Sequence, residues 1–310
     1  MGHNEGRFVL GIDLGGTKIA AATARPDGAI IRMERLPTEA QRGAGQAIRR
    51  ALDASRRLVT DTAIDTTGEL VAVGVATMGV TREDSVLMAP NVPGWDRLAI
   101  PPLLREAFPG VVLAIENDVK AAARAELRWG ALQGCQTAIY LNLGTGIAAG
   151  LIVGGTVLEG ANGAAGELAY NPRTLHEEDG AEQGRTPLEE YVGGRAIGER
   201  ASRRFGRLLS ARDVFTQAAH EGDARAFVEE VLGEIAYHVT NLAIALDPER
   251  IAVGGGLMAS HDLVLPRLQA HLRRFAPFPP PVVAASMVYD AGLMGAIAAA
   301  LEARGLAQPS

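Results

Sequence analysis

The octet Gly11-Ile12-Asp13-Leu14-Gly15-Gly16-Thr17-Lys18 holds the parts of a phosphate-binding turn. Adjacent glycines after a strand let backbone N–H groups approach phosphate oxygens that a Cβ would block. Asp13, at the strand end, can hold Mg2+ through water, and Thr17 and Lys18 can donate to phosphate. The octet is not a Walker A loop: Gly11 and Gly16 have that spacing, but Thr17 precedes Lys18 and a strand follows where a helix is needed. Leu143-Gly144-Thr145-Gly146 is a second turn of the same kind, and Gly254-Gly255-Gly256 is a third glycine cluster on a strand end. The run Gly144 to Gly150 fails as a dinucleotide fingerprint, because its glycines are misspaced and no helix follows directly. Two hairpin phosphate turns and a strand–GGG–helix unit point to a nucleotide clamped between lobes. Glu116-Asn117-Asp118 stands at another strand's carboxyl end, where ligand sites of α/β proteins open. A carboxylate there, helped by the N-terminus of the next helix, stays ionised and can take a proton from a substrate hydroxyl. Either Asn117 or Asp118 could also be a plain helix N-cap.

The elements that must position these groups are legible as periodic runs. Arg7–Leu14, Lys18–Ala24 and Ala29–Arg35 read as three strands joined by Gly15-Gly16 and Pro26-Asp27-Gly28, an antiparallel meander. A helix is expected from about Ala44 to Val59, then a buried strand at Val71–Ala76. Thr77–Pro102 reads as loop-rich, Val111–Ile115 as a strand, and an Ala-rich helix runs from the Glu116–Asp118 segment to about Trp129. Thr137–Leu143 and Ile147–Val153 then repeat strand–glycine turn–strand, about 130 residues after the first. Such a duplication suggests two related domains facing each other across a cleft. Later come a helix near Ala224–Leu246, strand Arg250–Val253, a helix from the glycine cluster to about Phe275, strand Val282–Met287 and a last helix, Ala291–Ala303. Asn171–Pro187 is polar and unpatterned and reads as a loop. The expected division is a small lobe, 1–118 with the C-terminal helix of about 291–310, and a large lobe, 119–290.

Composition narrows the function classes. The 310 residues suffice for two domains with a sizeable core. Thirty Lys+Arg against 36 Asp+Glu leave no basic footprint for nucleic acid, and 5% aromatics leave no base-stacking platform. Cys135 is the sole cysteine, which excludes an internal disulfide and any Cys-rich metal site. The six histidines show no ligand spacing. Met1–Gly6 lacks an apolar signal core. Gly130–Leu158 is free of charge and long enough to span a bilayer, but Gln133, Gln136, Asn142 and the glycines at 144, 146, 150, 154 and 155 make it read as two strands around a turn. The expectation is a soluble, cytoplasmic protein with no membrane partner.

Taken in order, the Gly11–Lys18 octet, Asn91-Val92-Pro93-Gly94-Trp95, Glu116-Asn117-Asp118, Leu143–Gly146, Ala165-Gly166-Glu167 and Asp247-Pro248-Glu249 with Gly254–Gly256 resemble the ROK family of sugar kinases, glucokinases among them, and related repressors. The resemblance covers nearly the whole chain. It implies a two-lobed actin/hexokinase-like, ribonuclease H-like ATPase fold, with duplicated domains around a cleft, and ATP- and Mg2+-dependent phosphorylation of a hexose hydroxyl. It further implies Asp118 as catalytic base, and Asn91, Asn117 and Glu167 as sugar partners. Glu189 matches the family's conserved glutamate in a Leu-Glu-x-Tyr segment, and Gly79 follows Thr77-Met78 where the family has a Pro-Gly turn. Gly15, Gly16, Thr17 and Gly144, Thr145, Gly146 match the phosphate turns, and Gly254 to Gly256 the adenosine end. A homodimer or homotetramer is implied as well. The first motif begins at Gly11, which fits the kinase branch better than repressors carrying an N-terminal helix-turn-helix domain.

The departures concern the sugar side. Ala169-Tyr170 replaces the family's Gly-His pair, so Tyr170 stands where a sugar-touching, zinc-binding histidine is usual, and Glu177–Arg185 has no cysteine where the family has a cluster. Zinc needs thiolate and imidazole at tetrahedral spacing, so no zinc site is expected. Lys120 replaces a common asparagine. These changes leave the sugar open between glucose, phosphorylated at its 6-hydroxyl, and a modified or amino hexose such as kanosamine or N-acetylmannosamine. A non-catalytic sugar-binding regulator and another actin-like ATPase are the rival classes.

Overall fold

The computed structural model describes residues 6–88, 92–220 and 222–306. The opening meander forms as its glycine turns dictate: β1 (Arg7–Leu14), β2 (Lys18–Ala24) and β3 (Ile30–Pro37) pair antiparallel. The first helix, α1 (Ala44–Thr66), runs seven residues past the expected Val59. Its buried face continues through Ser55 and Thr62, polar residues that hide the apolar period; the Thr62 hydroxyl shares a 2.7 Å hydrogen bond with Thr23. Next come β4 (Glu69–Thr77) and the short pair β5 (Val80–Thr81) and β6 (Val86–Leu87). The segment expected to be loop-rich thus holds a small hairpin, and α2 (Ile100–Ala107) starts within it. Pro101 and Pro102 lie in the first turn of α2, where a missing N–H costs nothing. β7 (Val112–Asn117) leads straight into α3 (Asp118–Trp129).

The second half opens with β8 (Ala138–Leu143), β9 (Ile147–Val153) and β10 (Thr156–Val157), so the uncharged stretch is a β-meander. Four helices follow: α4 (Glu189–Val192), α5 (Gly194–Phe205), α6 (Ala211–Gln217) and α7 (Gly222–Leu246). Beyond them lie β11 (Arg250–Gly254), a 3-10 turn at Gly256–Ser260, α8 (His261–Phe275), β12 (Val282–Ala284) and α9 (Ala291–Ala303). The third glycine cluster therefore feeds a 3-10 turn before its helix, and β12 stops three residues short of the expected Met287.

Contacts divide the chain into two units, one of residues up to Arg128 together with Tyr289 onward, the other Trp129–Val288. Helix α3 stays with the first unit because it lies hard against α9: an ideal Cβ on Gly295 would sit 1.9 Å from the Ala121 carbonyl oxygen. Only a glycine permits that approach. Arg124 of α3 also pairs with Glu116, with its Nη2 3.0 Å from the carboxylate, and with Glu302 of α9. Strand order in the first unit is β3-β2-β1-β4-β7, with β1, β4 and β7 parallel. In the second it is β10-β9-β8-β11-β12, with β8, β11 and β12 parallel. Each unit thus repeats one plan, a three-strand antiparallel meander extended by two parallel strands, which is the duplicated α/β architecture of an actin/hexokinase-like fold. Each also has its own apolar core, with Leu10, Ile12, Val73 and Trp95 in the first and Ile139, Leu141, Phe227 and Ile251 in the second. Among the described residues, no helix is long and apolar enough to cross a membrane.

Candidate active site

In the first unit, parallel pairing puts Leu14, Thr77 and Asn117 side by side at the carboxyl ends of β1, β4 and β7. Asp13 and Glu116 lie one row earlier, and Asp118 starts α3 directly beyond. The first glycine turn closes with Gly15 N–H donating to the Lys18 carbonyl at 3.1 Å. Thr38, unread in the sequence, is fully buried and holds that turn: its N–H donates to the Thr17 carbonyl at 2.9 Å and its hydroxyl to the Gly15 carbonyl at 2.6 Å.

The Asp118 carboxylate accepts the Val119 N–H at 2.9 Å, and the Asn117 side-chain oxygen accepts the same N–H at 2.8 Å. Asn117 therefore does cap α3 with its oxygen, which leaves its amide NH2 as a donor for a ligand. Burial pushes the Asp118 carboxyl up to about 6, against the opposing pull of the backbone N–H groups of Val119 and Asp118. Asp13 is held still higher, at about 7, by burial first and then by the charge of Asp118; Lys18 opposes the shift and Asp290 adds to it. Two carboxyls poised near neutrality at one sheet edge could exchange a proton there, which makes them candidate site residues. Asp13 lies against the first turn of α9, where an ideal Cβ on Gly292 would be 3.0 Å from its carboxylate. Lys18 does not extend freely from its turn: its ammonium donates to the Tyr289 carbonyl at 2.9 Å and faces Asp290 at 3.9 Å. Asp290 is also held by Arg35 at 2.7 Å. Neither Asp290 nor Arg35 carries a local motif. Gly79 takes a left-handed φ of 72° just after β4, while the Thr77 hydroxyl accepts the indole N–H of buried Trp95 at 3.3 Å. Asn91 lies outside the described residues.

In the second unit the other two glycine clusters come together. Gly144 N–H donates to the Gly146 carbonyl at 3.0 Å, closing the tight turn. Gly255 has φ 92°, and a Cβ there would sit 2.5 Å from the Leu143 carbonyl. Glu189, at the start of α4, backs the same turn: its carboxylate accepts the Ile147 N–H at 3.3 Å and would lie 1.9 Å from a Cβ on Gly146. Burial raises its pKa. The N-terminus of α5 abuts this turn from another side, with Gly194 N–H donating to the Gly144 carbonyl at 3.0 Å and Arg195 N–H to that of Thr145 at 3.4 Å. The pair Gly193-Gly194 before a helix was the signal for this contact, and it is absent from the motif reading above. Tyr170 ends a 3-10 turn that follows Glu167. Its phenol is pushed above the usual range by burial and by the charges of Glu167 and Glu189, which places the three side chains in one neighbourhood. Among the described residues, no group of three or more His, Cys, Asp or Glu side chains could hold a metal ion directly.

The chain as a whole is similar to known proteins. The ROK family model matches residues 9–303. The chain is 28% identical over 291 residues to a glucokinase of Halalkalibacterium halodurans, covering 87% of this chain and 86% of that one. It is 32% identical over 299 residues to an N-acetylmannosamine kinase of Shigella flexneri, covering 93% and 96%. Among solved structures, a ROK family glucokinase from Streptomyces griseus in complex with glucose and AMPPNP superposes with a TM-score of 0.75 at 27% identity, covering 95% of this chain and 99% of that one. Matched by the family model over nearly its whole length and similar to sugar kinases in sequence and fold, the chain belongs to the ROK family and is a kinase of that family.

Proposed function

We propose that this protein transfers the γ-phosphoryl group of ATP to a hexose hydroxyl, the 6-hydroxyl of glucose or of a glucose-like sugar. The observation that carries the proposal is Asp118: a carboxyl held at about 6 at the head of α3, beside Asn117 and the first glycine turn. At pH 7 it is mostly ionised yet basic enough to take a proton, the balance a general base needs. The sugar oxygen gives its proton to Asp118 and bonds to the γ-phosphorus as the bond from that phosphorus to the β-bridging oxygen breaks, releasing ADP. Such transfer depends on positioning and charge neutralisation more than on covalent chemistry. Gly16 and Thr17 of the first turn, and Thr145 and Gly146 of the second, are the proposed N–H donors to phosphate oxygens, since the N–H groups of Gly15 and Gly144 close their own turns. Gly254, Gly255 and Gly256 adjoin the second turn and suit the adenosine end. A carboxyl raised to about 7 by burial and neighbouring acids gains from a nearby cation, so Asp13 fits a water-mediated hold on Mg2+. Bound there, Mg2+ would neutralise the phosphate charge.

Glu167, Glu189 and Tyr170, with Asn91 and Asn117, are the proposed sugar contacts. A second reading, a modified or amino hexose, is favoured by Tyr170 lying beside two carboxylates and by the 32% identity to an N-acetylmannosamine kinase. We place the enzyme in the cytoplasm as a homodimer or homotetramer, and assign it no zinc, because the 171–187 segment carries no cysteine.

The test is ADP release from Mg-ATP over a panel of glucose, mannose, fructose, glucosamine, kanosamine, N-acetylglucosamine and N-acetylmannosamine, with and without a zinc chelator. Turnover on glucose supports the first reading, and turnover confined to an amino sugar supports the second. Silence on every sugar refutes both in favour of a regulator, and loss of turnover on chelation refutes the zinc-free assignment.

A further inference from the structure

The segment between Tyr170 and Glu189 is a long polar excursion with only a short 3-10 turn at Ala181–Gln183. Its two ends carry the proposed sugar contacts, so whatever ties those ends together sets the spacing of Tyr170 from Glu189. At its base the Leu188 N–H donates to the Ala169 carbonyl at 3.1 Å. A second tie lies just outside that base. The Arg173 guanidinium carbon stacks 3.2 Å from the centre of the Tyr191 ring, and its Nε donates to Glu234 at 3.0 Å. Arg173 is three residues past Tyr170, and Tyr191 is two residues past Glu189. Tyr191 is itself immobilised: Arg200 covers its other face at 3.5 Å and donates to its carbonyl at 2.9 Å, while its hydroxyl donates to Glu230. The ring is therefore a fixed block between two guanidinium planes, and Arg173 grips it from within the 171–187 segment.

We infer that Arg173, acting through the face of Tyr191, is a positioning residue for sugar binding that holds Tyr170 in register with Glu189. This rests on the proposed sugar kinase activity. A planar guanidinium suits the task, since it can stack on a ring and reach a carboxylate at once. Unlike the nearby Arg185, which pairs with Glu190 largely in solvent, Arg173 and Glu234 are each only 23% exposed. A contact of this burial resists salt better than an open ion pair.

The experiment compares wild type, Arg173→Ala and Arg173→Lys by steady-state kinetics on the sugar that wild type turns over best, with thermal midpoints as the folding control. Arg173→Ala is expected to raise the sugar KM roughly 5- to 20-fold, the loss of about 1–2 kcal/mol of stacking and pairing. The KM for ATP and kcat should change by less than about 2-fold. Arg173→Lys, which keeps the charge and loses the planar fork, should fall between the two. A folded Arg173→Ala with wild-type sugar KM overturns the inference, as does an equal fall in kcat on all substrates with KM unmoved. If wild type phosphorylates no sugar, the functional proposal fails instead, and the two failures are told apart by the wild-type control.

Discussion

Replacing Asp118 with Asn should end sugar-dependent phosphotransfer and, at the same time, make the protein more stable. The Asp118 carboxyl lies at about 6 in the folded chain instead of its ordinary 3.8, chiefly through burial. Each pH unit of such a shift is worth about 1.4 kcal/mol, so ionising this group costs the native state at most about 3 kcal/mol. The sign follows from linkage. Below pH 3.8 the group is protonated in both folded and unfolded chains and contributes nothing. As pH rises through the interval up to about 6, the unfolded chain releases its proton first, and the native state loses stability; above that the loss is constant. Asparagine keeps an oxygen for the Val119 N–H and removes the charge. At pH 7 the variant should therefore melt higher by roughly 5 °C, using ~2 °C per kcal/mol for a chain of this size. At pH 4 most of that advantage should vanish. Melting curves of ligand-free wild type and variant at the two pH values, with a coupled ADP-release assay, test both halves. Near wild-type turnover of the variant would remove Asp118 as base, and a lower melting point at pH 7 would refute the buried-charge argument.

Other perturbations reach the same site. With Asp118 as the proposed base, kcat/KM for the sugar should climb between about pH 5 and pH 7 with a midpoint near 6; a flat profile over that range contradicts the role. Gly295→Ala drives a Cβ to within 1.9 Å of the Ala121 carbonyl oxygen, so α3 and α9 must separate. A loss of about 3 kcal/mol or more, or insoluble protein, is expected in urea titrations. Arg124→Met removes the guanidinium that pairs with Glu116, whose side chain is 5% exposed, and with Glu302. The cost should be about 3–5 kcal/mol, measured as a fall in the urea midpoint that Glu116→Gln partly restores in the double variant.

Much of the fold was legible because its signals are local. Glycine pairs between runs of β-formers announce the hairpins β1–β2 and β8–β9, and the bounds of α9 coincide with its Ala-rich apolar run, Ala291–Ala303. Helices α5 and α6 are not legible in the sequence because α5 is arginine-rich, α6 is only seven residues long, and few positions, such as Ile197, Ala201, Val214 and Phe215, enter the core. The far end of α1 escaped because Thr62 is polar by type yet buried against Thr23 on a distant strand. The family motifs pointed to Asp118, Asn117 and the glycine turns. They were silent on Thr38, Arg35 and Asp290, whose partners lie far off in sequence, such as the Gly15 carbonyl for Thr38.

By itself the sequence determined the local backbone: where strands must turn, which glycines tighten those turns, and that a carboxylate would head a helix after β7. Those properties depend on sterics within a few residues, and no distant partner alters them. Only the tertiary structure decided the electrostatics. Lys18 could have pointed anywhere until α9 returned, 271 residues later, to offer the Tyr289 carbonyl. Asp13 and Asp118 became weak acids because packing strips water from both, the charge of Asp118 raising Asp13 further, and Glu189 came to support the Gly146 turn because α4 folds back onto it. Solvation and through-space charge are properties of the assembled core, and no window of sequence contains them.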